Sequence, residues 1–148
     1  MKRLILYSLF TVIFSSCNAQ KKLITKKMSF PTIGKHSIKI PKGTSDEKLI
    51  KGGHGGEYQY WYSDSSVVYI STDEGSATLN AERAKNKIDA NAEKAIAELK
   101  NEDIEVSGKV GNQYWKEKQI HEGRVKIGYL NVNEEKKELF DNALKSFK

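Results

Sequence analysis

Residues 57–71 carry the pattern that most limits the fold. Over the seven residues from Glu57 to Ser63 the chain alternates, with Tyr58, Tyr60 and Tyr62 on one side and Gln59, Trp61 and Ser63 on the other. Successive side chains of a strand point to opposite faces, so a sustained period of two predicts a strand whose two faces differ chemically. Ser63 to Ser66 is polar and turn-like, and Val67 to Ser71 is short, β-branched and aromatic. Together these runs predict an antiparallel hairpin.

The same reading extends outward from the hairpin. His36 to Ile40 alternates Ile38 and Ile40 with polar neighbours and is closed by Pro41-Lys42-Gly43, the pattern of a preceding strand and turn. After the hairpin, Asn80 reads as an N-cap for Ala81, Ala84, Ile88, Ala92, Ala95, Ile96 and Leu99 at helical spacing, with Asn101 as the stop. Charged residues fill the opposite side, which predicts an amphipathic helix of about five turns. Strand-like runs follow at Ile104 to Val106, Tyr114 to Ile120 and Arg124 to Val132, the last two joined by His121-Glu122-Gly123. Asn133 then caps a closing helix with Leu139, Phe140, Ala143, Leu144 and Phe147 as its buried stripe. The order β-β-β-α-β-β-β-α predicts an α+β fold: an antiparallel sheet of about six strands with two helices packed on it.

The first residues have a different character. Lys2 and Arg3 precede a mostly apolar run of 11 residues, Leu4 to Phe14, and Ser15-Ser16 lead to Cys17. That is the layout of an export signal, and the run falls short of the roughly 20 residues a spanning helix needs. Cys17 is the chain's single cysteine, so an intramolecular disulfide is excluded. Ile13-Phe14-Ser15-Ser16-Cys17 resembles the lipobox of bacterial lipoprotein signals, in the relaxed form of the Bacteroidota, with Phe14 where an aliphatic residue is usual. The resemblance implies cleavage before Cys17 and a lipid joined to its thiol, a covalent anchor rather than a cofactor. Two or three acyl chains at about 0.8 kcal/mol per buried methylene hold a protein on a bilayer.

The expected division is a cleaved signal over 1–16, a lipidated cysteine with a basic tether over 17–34, and a single α+β domain over 35–148. One domain suits the length, and the composition, 38% apolar and 30% charged, is that of a folded chain. The formal charge of +6 invites a nucleic-acid reading, but its distribution argues against one. Between Asn18 and Ser45 lie Lys21, Lys22, Lys26, Lys27, Lys35, Lys39 and Lys42 and no acid, whereas from Asp46 onward 16 basic residues face 19 acidic ones. No nucleic-acid partner is expected. The lysines after Cys17 either draw the tether toward anionic head groups, at about 1 kcal/mol each, or simply keep it solvated.

Two short stretches, Ser37-Ile38-Lys39-Ile40-Pro41 and Phe140-Asp141-Asn142-Ala143-Leu144-Lys145-Ser146-Phe147, resemble the opening and the ending of PsbP-like αβα-sandwich domains. That resemblance implies a binding or assembly role rather than a particular reaction.

Lys51-Gly52-Gly53-His54-Gly55-Gly56 is the most unusual local stretch, either a flexible connection into the Tyr58 strand or part of a binding surface. It fails as a phosphate cradle, since no lysine-serine or lysine-threonine follows the glycines. His36, His54 and His121 are scattered, without HxxxH or HExxH spacing, so no metal site is expected. No GxSxG occurs, and the acid pairs Asp73-Glu74 and Glu102-Asp103 sit at element ends where solvated turns are usual. Trp61 points away from its tyrosine neighbours and lies close in sequence to the glycine run. The candidate partner-binding residues are therefore Trp61, Gly53, His54 and Gly55, beside the lipid attachment at Cys17.

These features lead to an expected function: a non-enzymatic, lipid-anchored binding or accessory lipoprotein of the cell envelope. Its expected partners are the membrane through its anchor and either an envelope protein or a secreted toxin. The expected location is the inner or outer membrane with the domain facing the periplasm, because Asn18-Ala19-Gln20-Lys21-Lys22 lacks the acidic stretch that resembles a surface-export signal. A small hydrolase or carbohydrate-active envelope protein is the alternative.

Overall fold

A computed structural model describes residues 22–52, 55–72, 103–120 and 124–148. Eight strands and one helix occur among them, in the order β1 (Leu23–Phe30), β2 (Gly34–Pro41), β3 (Thr44–Lys51), β4 (Gly56–Tyr62), β5 (Val67–Ser71), β6 (Ile104–Val110), β7 (Gln113–Ile120), β8 (Val125–Val132) and α1 (Glu134–Lys145). β1 and β2 form a two-stranded antiparallel sheet. The other six strands form a second antiparallel sheet in the order β3-β4-β5-β8-β7-β6, two three-stranded meanders joined where β5 meets β8.

This architecture corrects the expected α+β layout. A six-stranded sheet under two helices is replaced, among the described residues, by two antiparallel sheets and one short helix. The PsbP-like sandwich goes with it. The helix expected from Asn80 to Leu99 lies outside the described residues, as does the turn at 121–123. Two strands escaped the sequence reading for physical reasons. β1 falls inside the expected tether of 17–34, where Lys26 and Lys27 interrupt the pattern, yet Ile24, Met28 and Phe30 alternate inward and the strand pairs with β2 from Leu23. Lys26 points inward with them and spends its charge on Glu47 while its ammonium lies 5.6 Å from the centre of the Tyr60 ring. β3 is exposed on both faces, so it has no apolar alternation to find.

The core lies between the six-stranded sheet and the layer that covers one of its faces. Tyr60, Tyr62, Val68, Ile70, Ile127 and Tyr129 point toward Met28, Phe30, Ile38 and Ile40 of the hairpin and Phe140 and Leu144 of α1. Tyrosine hydroxyls then tie the layers together. Tyr58 donates to the Ser29 carbonyl at 3.4 Å, Tyr62 to the Pro41 carbonyl at 2.9 Å and Tyr129 to Asp141 at 3.0 Å. Burial beside acidic groups pushes the Tyr60 hydroxyl up to about 12 and Tyr62 and Tyr129 higher still, so all three remain donors at any physiological pH.

Asn133 begins α1 by accepting the Lys136 backbone N–H at 3.0 Å, with Glu134 and Glu135 in the positive first turn. At the other end Ser37 and Lys148 exchange backbone hydrogen bonds of 2.9 and 3.0 Å, and the Lys39 N–H donates to Ser146 Oγ at 2.7 Å. The tail of α1 thus continues the pairing of β2.

Asp141 joins α1 to the large sheet. Its Oδ1 accepts from Tyr129 and pairs with Lys116 at 2.9 Å, while Oδ2 pairs with Lys137 at 2.9 Å. Burial opposes the charged carboxylate, but Lys137, Lys116 and Tyr129 outweigh it and hold Asp141 below the usual carboxylate range. Asp64, against the cost of burial, is likewise lowered to about 2 by Lys136 and Ser66. A carboxylate depressed in the folded state stabilises the fold above its ordinary pKa, and that contribution disappears as pH falls through the depressed value. Acid destabilisation is therefore expected below about pH 4. Asp141→Asn is expected to lower stability at neutral pH and flatten the acid limb in a circular-dichroism titration. An acid limb unchanged in that variant would assign the effect to other carboxylates.

Candidate functional site

The opposite face of the six-stranded sheet has a different chemistry, and the ladder places its residues in rows. Trp61, Val67 and Leu130 form one row, Gln59, Tyr69, Gly128, Glu117 and Val106 the next, and Glu57, Ser71, Lys126, Gln119 and Ile104 the third. The first row is apolar, with Trp61 and Trp115 packed half-buried against Val67, Tyr69 and Leu130. The other two are unusually polar for a buried surface. Glu57, Gln59, Ser71, Glu117 and Gln119 are each exposed by 4% or less.

Hydrogen bonds organise these groups. Tyr69 donates to Glu117 Oε2 at 2.6 Å and Gln119 Nε2 to Glu117 Oε1 at 3.2 Å. Gln59 Nε2 donates to Glu57 Oε1 at 2.5 Å and receives the Trp61 indole N–H on its Oε1 at 2.9 Å. Each carboxylate thus holds the amide of a glutamine two residues along its strand. Among the described residues Gln119 Oε1 is buried with no hydrogen-bond partner. Two glycines make room for the aromatic groups: a Cβ on Gly128 would lie 2.4 Å from the Tyr69 hydroxyl, and one on Gly108 would lie 2.6 Å from the Trp115 indole nitrogen.

This face bears on the two-carboxylate chemistry of sugar hydrolysis. β5 and β8 separate Glu57 on β4 from Glu117 on β7, which at about 4.8 Å per strand sets them roughly 14 Å apart across the sheet. That figure is a separation between backbones, whereas the roughly 5–10 Å of glycosidase pairs is measured between carboxyl groups. Among the described residues no group of three or more His, Cys, Asp or Glu is placed to hold a metal ion.

The residues singled out from sequence are dispersed. Cys17, Gly53 and His54 lie outside the described residues. Gly55 is packed against Thr72, whose carbonyl oxygen would be 2.7 Å from an added Cβ, so glycine is required there by close approach. Gly52 donates to the Gly55 carbonyl at 3.0 Å, which carries the β3–β4 ladder one pair beyond Lys51 and Gly56. Trp61 does lie opposite Tyr58, Tyr60 and Tyr62, and those tyrosines pack under β1, β2 and α1. The indole is half-buried, with the Lys48 ammonium 5.5 Å from its ring centre. His36 is structural: its ring nitrogens lie 3.1 and 3.0 Å from the Lys148 and Ile33 carbonyl oxygens, and its ring stacks on Phe147.

Sequence reasoning missed Glu57, Gln59, Glu117 and Gln119. A signal was present, since both β4 and β7 carry glutamate and glutamine two residues apart beside a tryptophan: Glu57, Gln59, Trp61 and Trp115, Glu117, Gln119. The repetition places matching chemistry at the middle strand of each meander.

A second feature is the outer side of the β1–β2 hairpin, which presents Lys27, Lys35 and Lys39 with Thr25, Ser29 and Ser37. No acid occurs from residue 18 to 45, so this side is uniformly basic. A hollow of about 740 Å³ adjoins it, lined by Lys27, Lys35, His36, Tyr58 and Lys148 among others. A surface of positive charge alone attracts anionic groups. Among the described residues no helix is long and apolar enough to cross a membrane.

No protein-family model matches the chain, and no curated protein or solved structure matches it either.

Proposed function

We propose that this chain is a lipid-anchored, non-enzymatic binding or accessory protein of the bacterial cell envelope, with an envelope protein or a secreted toxin as its partner. The observation that carries the reading is Cys17, a single cysteine at the end of a stretch that resembles an export signal. The lysine-bearing side of the hairpin supports it. β1 starts at Leu23, six residues after Cys17, so an anchor there keeps the hairpin close to the bilayer surface. Lys27, Lys35 and Lys39 each add about 1 kcal/mol of attraction if that surface is anionic. Acyl chains supply the attachment and the hairpin sets which side of the domain faces the lipid.

Cys17→Ser is the test. The variant is expected to leave the membrane fraction while keeping the wild-type circular-dichroism spectrum, because serine replaces only the thiol that would carry the lipid. Mass spectrometry of the wild-type mature protein is expected to find an acylated N-terminal cysteine. An unmodified thiol, or full membrane retention of the serine variant, rules the anchor out. Chemical cross-linking in intact envelopes followed by identification of the captured protein tests the binding role separately.

A further inference from the structure

β3 is an edge strand exposed along nearly its whole length, and Leu49 and Ile50 keep 49% and 44% of their surface open to solvent. β4 occupies one side of it; among the described residues no strand occupies the other. The hydrogen bond from Gly52 to Gly55 identifies these two as a hydrogen-bonded pair. Such pairs alternate along an antiparallel ladder, so Ile50 and Lys48 turn their backbone groups toward β4. Glu47, Leu49 and Lys51 turn theirs to the open edge. The side chains of these three also share one face, in the order acid, apolar, base.

We propose that a second copy of this chain pairs with that edge, antiparallel, with a twofold axis at Leu49. In this register Leu49 meets its own counterpart, and Glu47 of each copy lies opposite Lys51 of the other. The three facing pairs form about six backbone hydrogen bonds. Opposite charges across a pair stabilise a sheet and like charges destabilise it, which excludes the parallel alternative, where Glu47 would face Glu47 and Lys51 would face Lys51. Sliding the antiparallel register by two residues sets Leu49 against a charged side chain. On the other face Ile50 falls opposite Lys48, whose alkyl stem covers it.

The interface is isologous and closes at two copies. Its axis runs perpendicular to the joined sheet, so both β1–β2 hairpins lie on one side of it and face one surface together. The pairing does not depend on acylation, and its test is designed to be independent of the anchor.

The test is oxidative cross-linking of Leu49→Cys in the full chain, in both the native and the Cys17→Ser backgrounds. Opposed residues of a hydrogen-bonded antiparallel pair have Cα atoms about 5.5 Å apart, within disulfide reach. A reducible dimer is expected from Leu49→Cys in both backgrounds. Ile50→Cys is expected to give none, since its counterpart is offset by two residues along the strand and lies beyond about 7 Å. Adding Lys51→Glu to Leu49→Cys sets acid against acid in both outer pairs and is expected to remove the dimer band, with circular dichroism unchanged. The proposal is overturned if Leu49→Cys and Ile50→Cys cross-link alike, if Lys51→Glu leaves the band at full strength, or if Leu49→Cys joins a protein of another size.

Discussion

Phe140→Ala is expected to destabilise the domain by about 3–5 kcal/mol, the range for a large aromatic removed from a packed core. Phe140 is 1% exposed and meets the rings of Tyr62 and Tyr129 edge-on, at centroid distances of 5.3 and 5.7 Å. It is the side chain through which α1 reaches both meanders, since Tyr62 ends β4 and Tyr129 lies in β8. Its removal opens a void between a helix and two strands that cannot close without moving α1, and α1 is fixed to β2 through Ser146 and Lys148. The expected readout is a fall in the urea midpoint at unchanged m. A loss under about 1 kcal/mol would mean that α1 contributes little to the core.

Gly128→Ala is the second large effect, at about 3 kcal/mol, because it combines overpacking with the loss of a buried hydrogen bond. The added methyl would sit 2.4 Å from the Tyr69 hydroxyl and 2.6 Å from the Lys116 carbonyl oxygen, and the second contact is backbone that cannot swing aside. Tyr69 crosses β8 at this glycine to reach Glu117 on β7. Displacing it weakens the bond to Glu117 across the central strand. Tyr69→Phe removes only the hydroxyl, so its cost should be smaller and less than additive with Gly128→Ala. Denaturant titration of the two single variants and the double variant measures this coupling. Gly128→Ala at wild-type stability would mean the aromatic ring is free to move.

What the sequence made legible follows from which residues alternate. Tyr58, Tyr60 and Tyr62 against Trp61, and the runs ending at Ile120 and Val132, carry their period in side chains whose burial is decided by type. β3 carries none, because Asp46, Glu47, Lys48 and Lys51 occupy both of its faces. β1 hid its period behind Lys26, a charge turned inward to meet Glu47. The polar face was hidden for the converse reason: glutamates and glutamines read as solvent-facing, and only the pairing of β4, β5, β8 and β7 shows that Glu57 and Glu117 lie in adjacent buried rows. Trp61 was placed on the correct side of its strand by alternation alone, but how far Gln59, Lys48 and Leu130 cover it depends on strand order, which local spacing does not encode.

The position of β8 has a consequence for how the chain reaches this state. β8 is the last strand made, yet it occupies the middle of the large sheet, between β5 and β7. Until it arrives, Val67–Ser71 is an open edge of five uncharged residues, rich in valine, isoleucine and tyrosine. Such a segment is a template for aggregation while it waits. Asp64 on one side and Asp73-Glu74 on the other are placed as charged gatekeepers. A chain interrupted before residue 125 has no β8 to cover that edge, so premature truncation should yield aggregates rather than a smaller soluble domain.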